Sequence, residues 1–187
     1  MVDVTFSPIG TEPAAVTAAV RLLNGALGDG IYSEPGLVEM AGYDRALGLA
    51  AWLEGDLVGA AVAQALVPDD NAYYDAFGPR AHDRLAGRHL GSLEASVVAE
   101  DHRGAGIGRE LAQRRMAWAA GLGSEIAVGI AWMSSPSPSW PLFEGMGFEL
   151  LGESDQIYTT DSIENGWSCP VCGNPCHCTG RLYAKDL

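Results

Sequence analysis

Residues 103–108, Arg-Gly-Ala-Gly-Ile-Gly, set three alternate glycines between an apolar, strand-like run and a helix-like run. No other stretch restricts the fold as much. Without β-carbons, Gly104, Gly106 and Gly108 let the backbone take positive-φ turns and bring a row of unpaired N–H groups close to a ligand. A helix starting at Gly106 would aim its positive end at the same place, so the segment reads as an anion socket on a strand-loop-helix unit. The dinucleotide fingerprint G-x-G-x-x-G and the phosphate loop G-x-x-x-x-G-K-[ST] both fail on this string. What fits is R-x-x-G-x-G, carried by Arg103, Gly106 and Gly108, with Val98 five residues before the arginine.

Periodicity around this unit predicts an α/β fold of about seven strands and several helices in one domain spanning residues 1–187, long enough to bury about 70% of its unfolded surface. Val4 to Ile9 reads as a strand. Thr11-Glu12-Pro13, with the threonine hydroxyl as cap, starts a helix to about Asn24, and Ser33-Glu34-Pro35 starts a shorter one ending near Gly42. Apolar runs at 46–53 and 57–67 flank Glu54-Gly55-Asp56, the pattern of a hairpin. Residues 68–89 are polar and aromatic, a loop with a turn or two of helix near the mouth of the site. Strands follow at 90–99 and 125–132, with the long helix 106–122 between them. In the second of these, Ile126, Val128, Ile130 and Trp132 alternate with Ala127, Gly129 and Ala131, a large face and a small face. A short helix at 140–146, a strand from Phe148 and a terminal strand at 181–187 complete the chain.

The string Leu142-Phe143-Glu144-Gly145-Met146-Gly147-Phe148 is a second motif, closing a short helix and opening a strand. In that order and separation, the two motifs resemble the signatures of the GCN5-related N-acetyltransferases, the GNAT superfamily, across residues 90–150. The resemblance implies a mixed, mostly antiparallel sheet flanked by helices, with the fourth and fifth strands splayed. It implies an acetyl-coenzyme A dependent transferase whose loop Arg103, Gly104, Ala105, Gly106, Ile107 and Gly108 cradles the pyrophosphate. Amides near Val97 and Val98 would bind the acyl carbonyl and pantetheine arm. Arg109 would assist at the phosphates; His102, Arg114 and Arg115 read as exposed, the two arginines forming a solvated face.

A central strand covered on both sides should be apolar on both, so Glu94 is out of place among Ser92, Ser96 and Val98 on its face. Partial desolvation would raise its pKa toward that of a useful base, and the resemblance places a base acting through water at this level. Ser92 and His89 are alternatives. The resemblance also implies a tyrosine at Phe143 to protonate the departing thiolate; phenylalanine cannot, leaving Tyr158, Ser139 or water. That departure supports a competing reading, a non-catalytic acyl-coenzyme A binder or zinc-stabilised interaction module.

All four cysteines lie close together in Cys169-Pro-Val-Cys172-Gly-Asn-Pro-Cys176-His-Cys178. The C-P-x-C-G turn is a metal knuckle, predicting a structural zinc site at 168–179 between the last two strands, with iron as the second choice and His177 an alternative ligand. Cysteines so near in sequence are poorly placed for relaxed disulfides. Acidic residues number 24 against 11 basic ones, giving a net charge of −13, which argues against nucleic acid and favours a cationic acceptor. The acceptor is expected to be a small-molecule or peptide amine, with Asp155, Asp161 and Glu164 helping to recognise its charge. Neither a secretory signal nor a membrane span is visible, so the expected location is the cytoplasm; a homodimer is compatible with the sequence.

Overall fold

The turn at Glu54-Gly55 takes positive φ at both residues, 52° and 95°, in the computed structural model of the chain, which describes residues 3–187. A two-residue loop of that handedness matches the twist of the strands it joins. It folds β2 (Ala46–Leu53) antiparallel onto β3 (Asp56–Leu66), with β1 (Thr5–Pro8) on the outer edge. β4 (Leu90–Val98), β5 (Ile126–Trp132), β6 (Glu149–Ser154) and β7 (Gly180–Asp186) complete a seven-stranded sheet in the order β1-β2-β3-β4-β5-β7-β6. Every neighbouring pair is antiparallel except β4 and β5. Those two pair only through Leu90, Gly91 and Ser92 with Ile126, Ala127 and Val128, and then diverge. The seven strands and the splay agree with the expectation from sequence.

Helices cover both faces. α1 (Pro13–Leu27) and α2 (Glu34–Met40) pack Val16, Ala19, Leu23 and Leu37 onto Ala50, Ala60 and Val62. A 3-10 helix over Pro68–Phe77 and α3 (Pro79–Leu85) cover the β5 and β7 end of that face, where Tyr74, Phe77 and Leu85 meet Ile126, Val128 and Leu182. On the opposite face lie α4 (Ile107–Gly121) and α5 (Trp140–Gly145). The small face of β5 has a use: a β-carbon on Gly129 would sit 2.4 Å from the tip of the Phe143 ring, so the missing side chain is what admits it. Ser33 caps α2 as expected, accepting from the Gly36 amide at 3.1 Å. α1 differs, because its N-cap is Glu12 and no side chain caps it.

Two features go beyond the sequence reading. Residues 68–85 are helical for most of their length, and a further helix, α6 (Thr159–Asn165), stands between β6 and β7. The second is a bulge in β4. Pairing with β3 steps from Val62–Ala95 to Gln64–Ser92, one residue more on β4 than on β3. An extra residue reverses the side-chain alternation beyond it. Leu93 therefore joins α4 and α5 on one face, while Ala95 and Val97 join α1 on the other. The two uninterrupted faces expected for this strand exchange at Leu93-Glu94.

Candidate active site and cysteine centre

Beyond a short 3-10 turn, Glu100–His102, the chain reaches the glycine loop at the start of α4. Gly104 and Gly106 take φ of 79° and 86°, conformations that side chains disfavour. Gly108 does not: it lies inside the first turn of α4, with Val98 and Leu142 in ordinary contact range of the β-carbon it lacks. The amides of Gly104, Ala105 and Gly106 donate to nothing among the described residues. The first amides of the helix, from Ile107, have no intrahelical partner by construction. A fan of free N–H groups thus backs onto a fifteen-residue helix. Arg103 is exposed and donates from Nε to Val98 O at 3.0 Å; Arg109, also exposed, reaches Gly145 O at 3.2 Å and ties α4 to α5. Val97, Val98 and Arg103 also line an open hollow of about 550 Å³ between α1 and the end of β4.

Where β4 and β5 diverge, a cavity of about 520 Å³ opens through the sheet. Glu94 is exposed to it, not enclosed, on the stretch of β4 that the bulge redirects. Ser92 is buried, and its hydroxyl shares a 2.8 Å hydrogen bond with Tyr74. His89 stands exposed before β4, its amide bound to Glu125, and is not part of the cavity wall. Ser139 lines the cavity on the α5 side and Tyr158 on the cysteine side. Phe143 is buried, stacked on Tyr183 with centroids 5.4 Å apart and tilted against Phe148, so its position serves packing.

Burial first, then the charge of Glu94, raise the phenols of Tyr32 and Tyr74 above the ordinary tyrosine range. Tyr158 is raised too, by burial, then Tyr73, the nearby cysteines and Glu94. Tyr73 is pushed up to about 12 by burial and by Glu94 and Asp161. Of the three acidic residues expected to meet an acceptor, Asp161 lines the cavity, accepting from Trp167 Nε1 at 2.6 Å and Asn165 at 2.7 Å. Asp155 instead accepts from Thr179 at 2.7 Å, and neither it nor Glu164 reaches the cavity wall.

Arg115 corrects the reading of α4. Arg114 is exposed as expected, paired with Glu110 at 2.8 Å and lying 4.7 Å over the Phe6 ring. Arg115 is only 2% exposed. It donates to Leu111 O at 3.2 Å and, across to the sheet, to Val62 O and Ala95 O at 2.9 Å each. These two carbonyls flank the β4 bulge. Burial lowers its pKa to about 10, with Tyr32 and Glu94 opposing, so the guanidinium stays charged at neutral pH. Its place on the buried stripe was readable, since it stands four residues after Leu111 and four before Ala119, both fully buried.

The four cysteine sulfurs lie within 4.8 Å of one another. Contacts of 3.8 Å for Cys169–Cys178, 3.7 Å for Cys172–Cys176 and 3.6 Å for Cys172–Cys178 match the edges, about 3.8 Å, of a tetrahedron with metal–sulfur bonds of about 2.3 Å. The Val171 amide points at Cys169 Sγ (3.4 Å) and the His177 amide at Cys172 Sγ (3.3 Å). The cluster could hold a metal ion with all four positions filled by thiolates; His177 is exposed and outside it. Cys169 and Cys176 also line the cavity. Ser162, fully buried in α6, supports this segment by accepting from the Cys176 amide at 2.9 Å. Ser168 donates to Asp29 O at 3.1 Å and docks the segment on the loop after α1.

Comparison with known proteins agrees with this geometry. Among curated proteins, no sequence matches the chain. Arabidopsis thaliana NAA60, solved with a bisubstrate analogue, superposes with a TM-score of 0.71 at 15% identity, covering 98% of each chain. The ribosomal-protein-S18-alanine N-acetyltransferase of Escherichia coli gives 0.64 at 17% identity, covering 98% of this chain and 94% of that one. A GNAT family acetyltransferase from Elizabethkingia anophelis with acetyl-CoA bound gives 0.62 at 17% identity, covering 98% of each. At these identities the likeness shows the fold. The profile of the acetyltransferase (GNAT) family matches residues 19–148, which takes in the glycine loop and the second motif, and the chain belongs to that family.

Proposed function

We propose that the protein transfers an acetyl group from acetyl-coenzyme A directly to a primary amine. The observation that carries this reading is the free-amide fan at Gly104 to Gly108, opening beside a cavity at the β4–β5 divergence. The pyrophosphate would lie on residues 103–108 with Arg109 at its flank, and the acyl arm would run along Val97 and Val98 into the cavity. An acceptor ammonium yields a proton, through water, to Glu94. The freed nitrogen lone pair attacks the thioester carbonyl, and β4 amides hold the oxyanion. The C–S bond then breaks, the nitrogen releases its second proton to solvent as the amide C–N bond is completed, and coenzyme A leaves as a thiolate. Solvent protonates that thiolate, or one of the two hydroxyls expected for the step, Ser139 and Tyr158, both in the cavity wall, does so.

We further assign the cysteine cluster to a structural zinc ion. It would fix residues 158–178 as one wall of the cavity and take no part in the chemistry, having no open ligand position. The deciding experiment is an acceptor panel assayed by release of free thiol from acetyl-coenzyme A. Steady turnover with at least one amine is expected. Phe143 supports the rival reading, a non-catalytic binder, and tight coenzyme A binding without turnover on any amine would establish it.

A further inference from the structure

The wall contributed by the cysteine segment gives the cavity an unusual charge balance. Three carboxylates line it, Asp70, Glu94 and Asp161, and none is in an ion pair among the described residues. The one cation in the wall is Arg115, whose guanidinium is spent on three backbone carbonyls. The cavity therefore carries an excess of two negative charges, in a chain already at −13. Tyr73 lines the cavity together with Glu94 and Asp161, and Trp167, bonded to Asp161, forms an edge-to-face pair with Tyr158, centroids 6.5 Å apart. No hydrogen bond of the Tyr32, Tyr73 or Tyr158 hydroxyls occurs among the described residues, although all three line the cavity. Aromatic faces with a carboxylate behind them are a receptor for an ammonium group. A lone amine would place a positive charge at Glu94 and leave Asp161 with neutral donors only.

We propose that the acceptor is a small molecule carrying two ammonium groups on one flexible apolar chain, of the α,ω-diaminoalkane class: the reacting nitrogen lies at Glu94 and the distal one at Asp161, beside Tyr73, Tyr158 and Trp167. This rests on the acetyl-transfer reading above. The cavity must also receive the end of the acyl arm, and its volume of about 520 Å³ is in the range of a small-molecule site. The apolar chain would lie along the aromatic wall. Asp161 is set for this task by Trp167 Nε1 and Asn165, which hold the carboxylate without neutralising it.

The test compares α,ω-diaminoalkanes of increasing length with monoamines of matched length in thiol release. The expected result is a diamine advantage in kcat/KM of about tenfold, peaking at one chain length and shrinking as salt screens the distal contact. Asp161→Asn, which still accepts from Trp167, should remove most of that advantage by raising the KM for the favoured diamine, with the KM for acetyl-coenzyme A within twofold. Equal efficiency for matched monoamines and diamines in the wild type, or peptide N-termini outperforming every diamine, overturns the proposal and leaves acetyl transfer standing. Absence of any turnover overturns acetyl transfer instead. Calorimetry of 1,4-diaminobutane and butylamine on the wild-type protein then decides the subsite alone: matching affinities refute it. If Asp161→Asn fails to fold, the wild-type length and salt series decides.

Discussion

Arg115→Lys isolates what holds the β4 bulge in place. The substitution keeps a positive charge in the same buried position and so retains the desolvation penalty, but replaces a planar fork by a single ammonium on a shorter reach. Arg115 makes three hydrogen bonds, two of them across to Val62 O and Ala95 O. Both cross-sheet bonds come from one nitrogen, Nη1, and lysine Nζ ends one covalent bond short of that position, so it can hold one of the two carbonyls at full length but not both. The bond to Leu111 O is also lost, although that carbonyl keeps its helical partner. Each lost bond to a charged donor is worth about 1.5–3 kcal/mol. The ammonium can recover part of this by leaning into the cavity, which Arg115 lines. A net loss of about 3 kcal/mol is expected.

In urea, with a slope of about 2 kcal/mol/M, that loss lowers the midpoint by about 1.5 M with the slope unchanged. Arg114→Lys is the matched control. Its exposed pair with Glu110 and contact with Phe6 are worth about 1 kcal/mol or less, so its midpoint should barely move. Because the bulge sets the course of β4 toward Val97 and Val98, along which the acyl arm would run on the reading proposed above, Arg115→Lys should also lower kcat. A midpoint within about 0.3 M of wild type would refute the argument that this arginine braces the bulge.

Glu94→Gln should lower kcat/KM by about a hundredfold, as read by thiol release at saturating acetyl-coenzyme A; an unchanged kcat/KM removes Glu94 as the base. Metal analysis of protein purified without chelator should give one zinc per chain. Stripping it with a thiol-reactive reagent and chelator should expose residues 158–178 to protease and raise acceptor KM, and an equally resistant metal-free protein would contradict the structural assignment. Alkaline titration tests the buried phenols. Tyr32, Tyr74 and Tyr158 keep their protons in the fold at pH values where the unfolded chain loses them, so their contribution is whole below about pH 10 and falls above it. The loss is about 4 kcal/mol per pH unit for the three together, visible as a falling urea midpoint between pH 10 and 11. A flat midpoint across that range would refute it.

What could be read from the sequence was local. The glycine loop announces itself because its requirement, positive φ beside a helix start, is met by adjacent residues, and the structure changes only Gly108, which lies in the helix as expected but takes no positive φ. The four cysteines fall in one short string, so their convergence follows from a few turns of chain. The alternation along β4 was legible up to Leu93 and wrong beyond it. A bulge is decided by what the neighbouring strand and the helix behind it can satisfy, and in this chain that partner is Arg115, on another element. The paired arginines Arg114 and Arg115 suggested a wet face, while the four-residue spacing from Leu111 to Arg115 to Ala119 marked a buried one. Charge identity outweighed position there, and position was the better guide.

The same division separates the two halves of the site. The half that would grip a coenzyme, on the reading proposed above, is made of backbone, needs only small residues in order, and is therefore written in a motif. The half that meets an acceptor is made of side chains from the loop after α1, the 3-10 helix, β4 and the cysteine segment, brought together only when Ser168 docks on Asp29. Gly28 is part of that junction, since a β-carbon there would lie 2.5 Å from Ser168 O. The cysteine cluster and the cavity consequently share Cys169 and Cys176, whereas residues 103–108 belong to neither. On the proposed reading, changes in residues 155–179 should therefore alter which amine is chosen without disturbing the grip on the coenzyme.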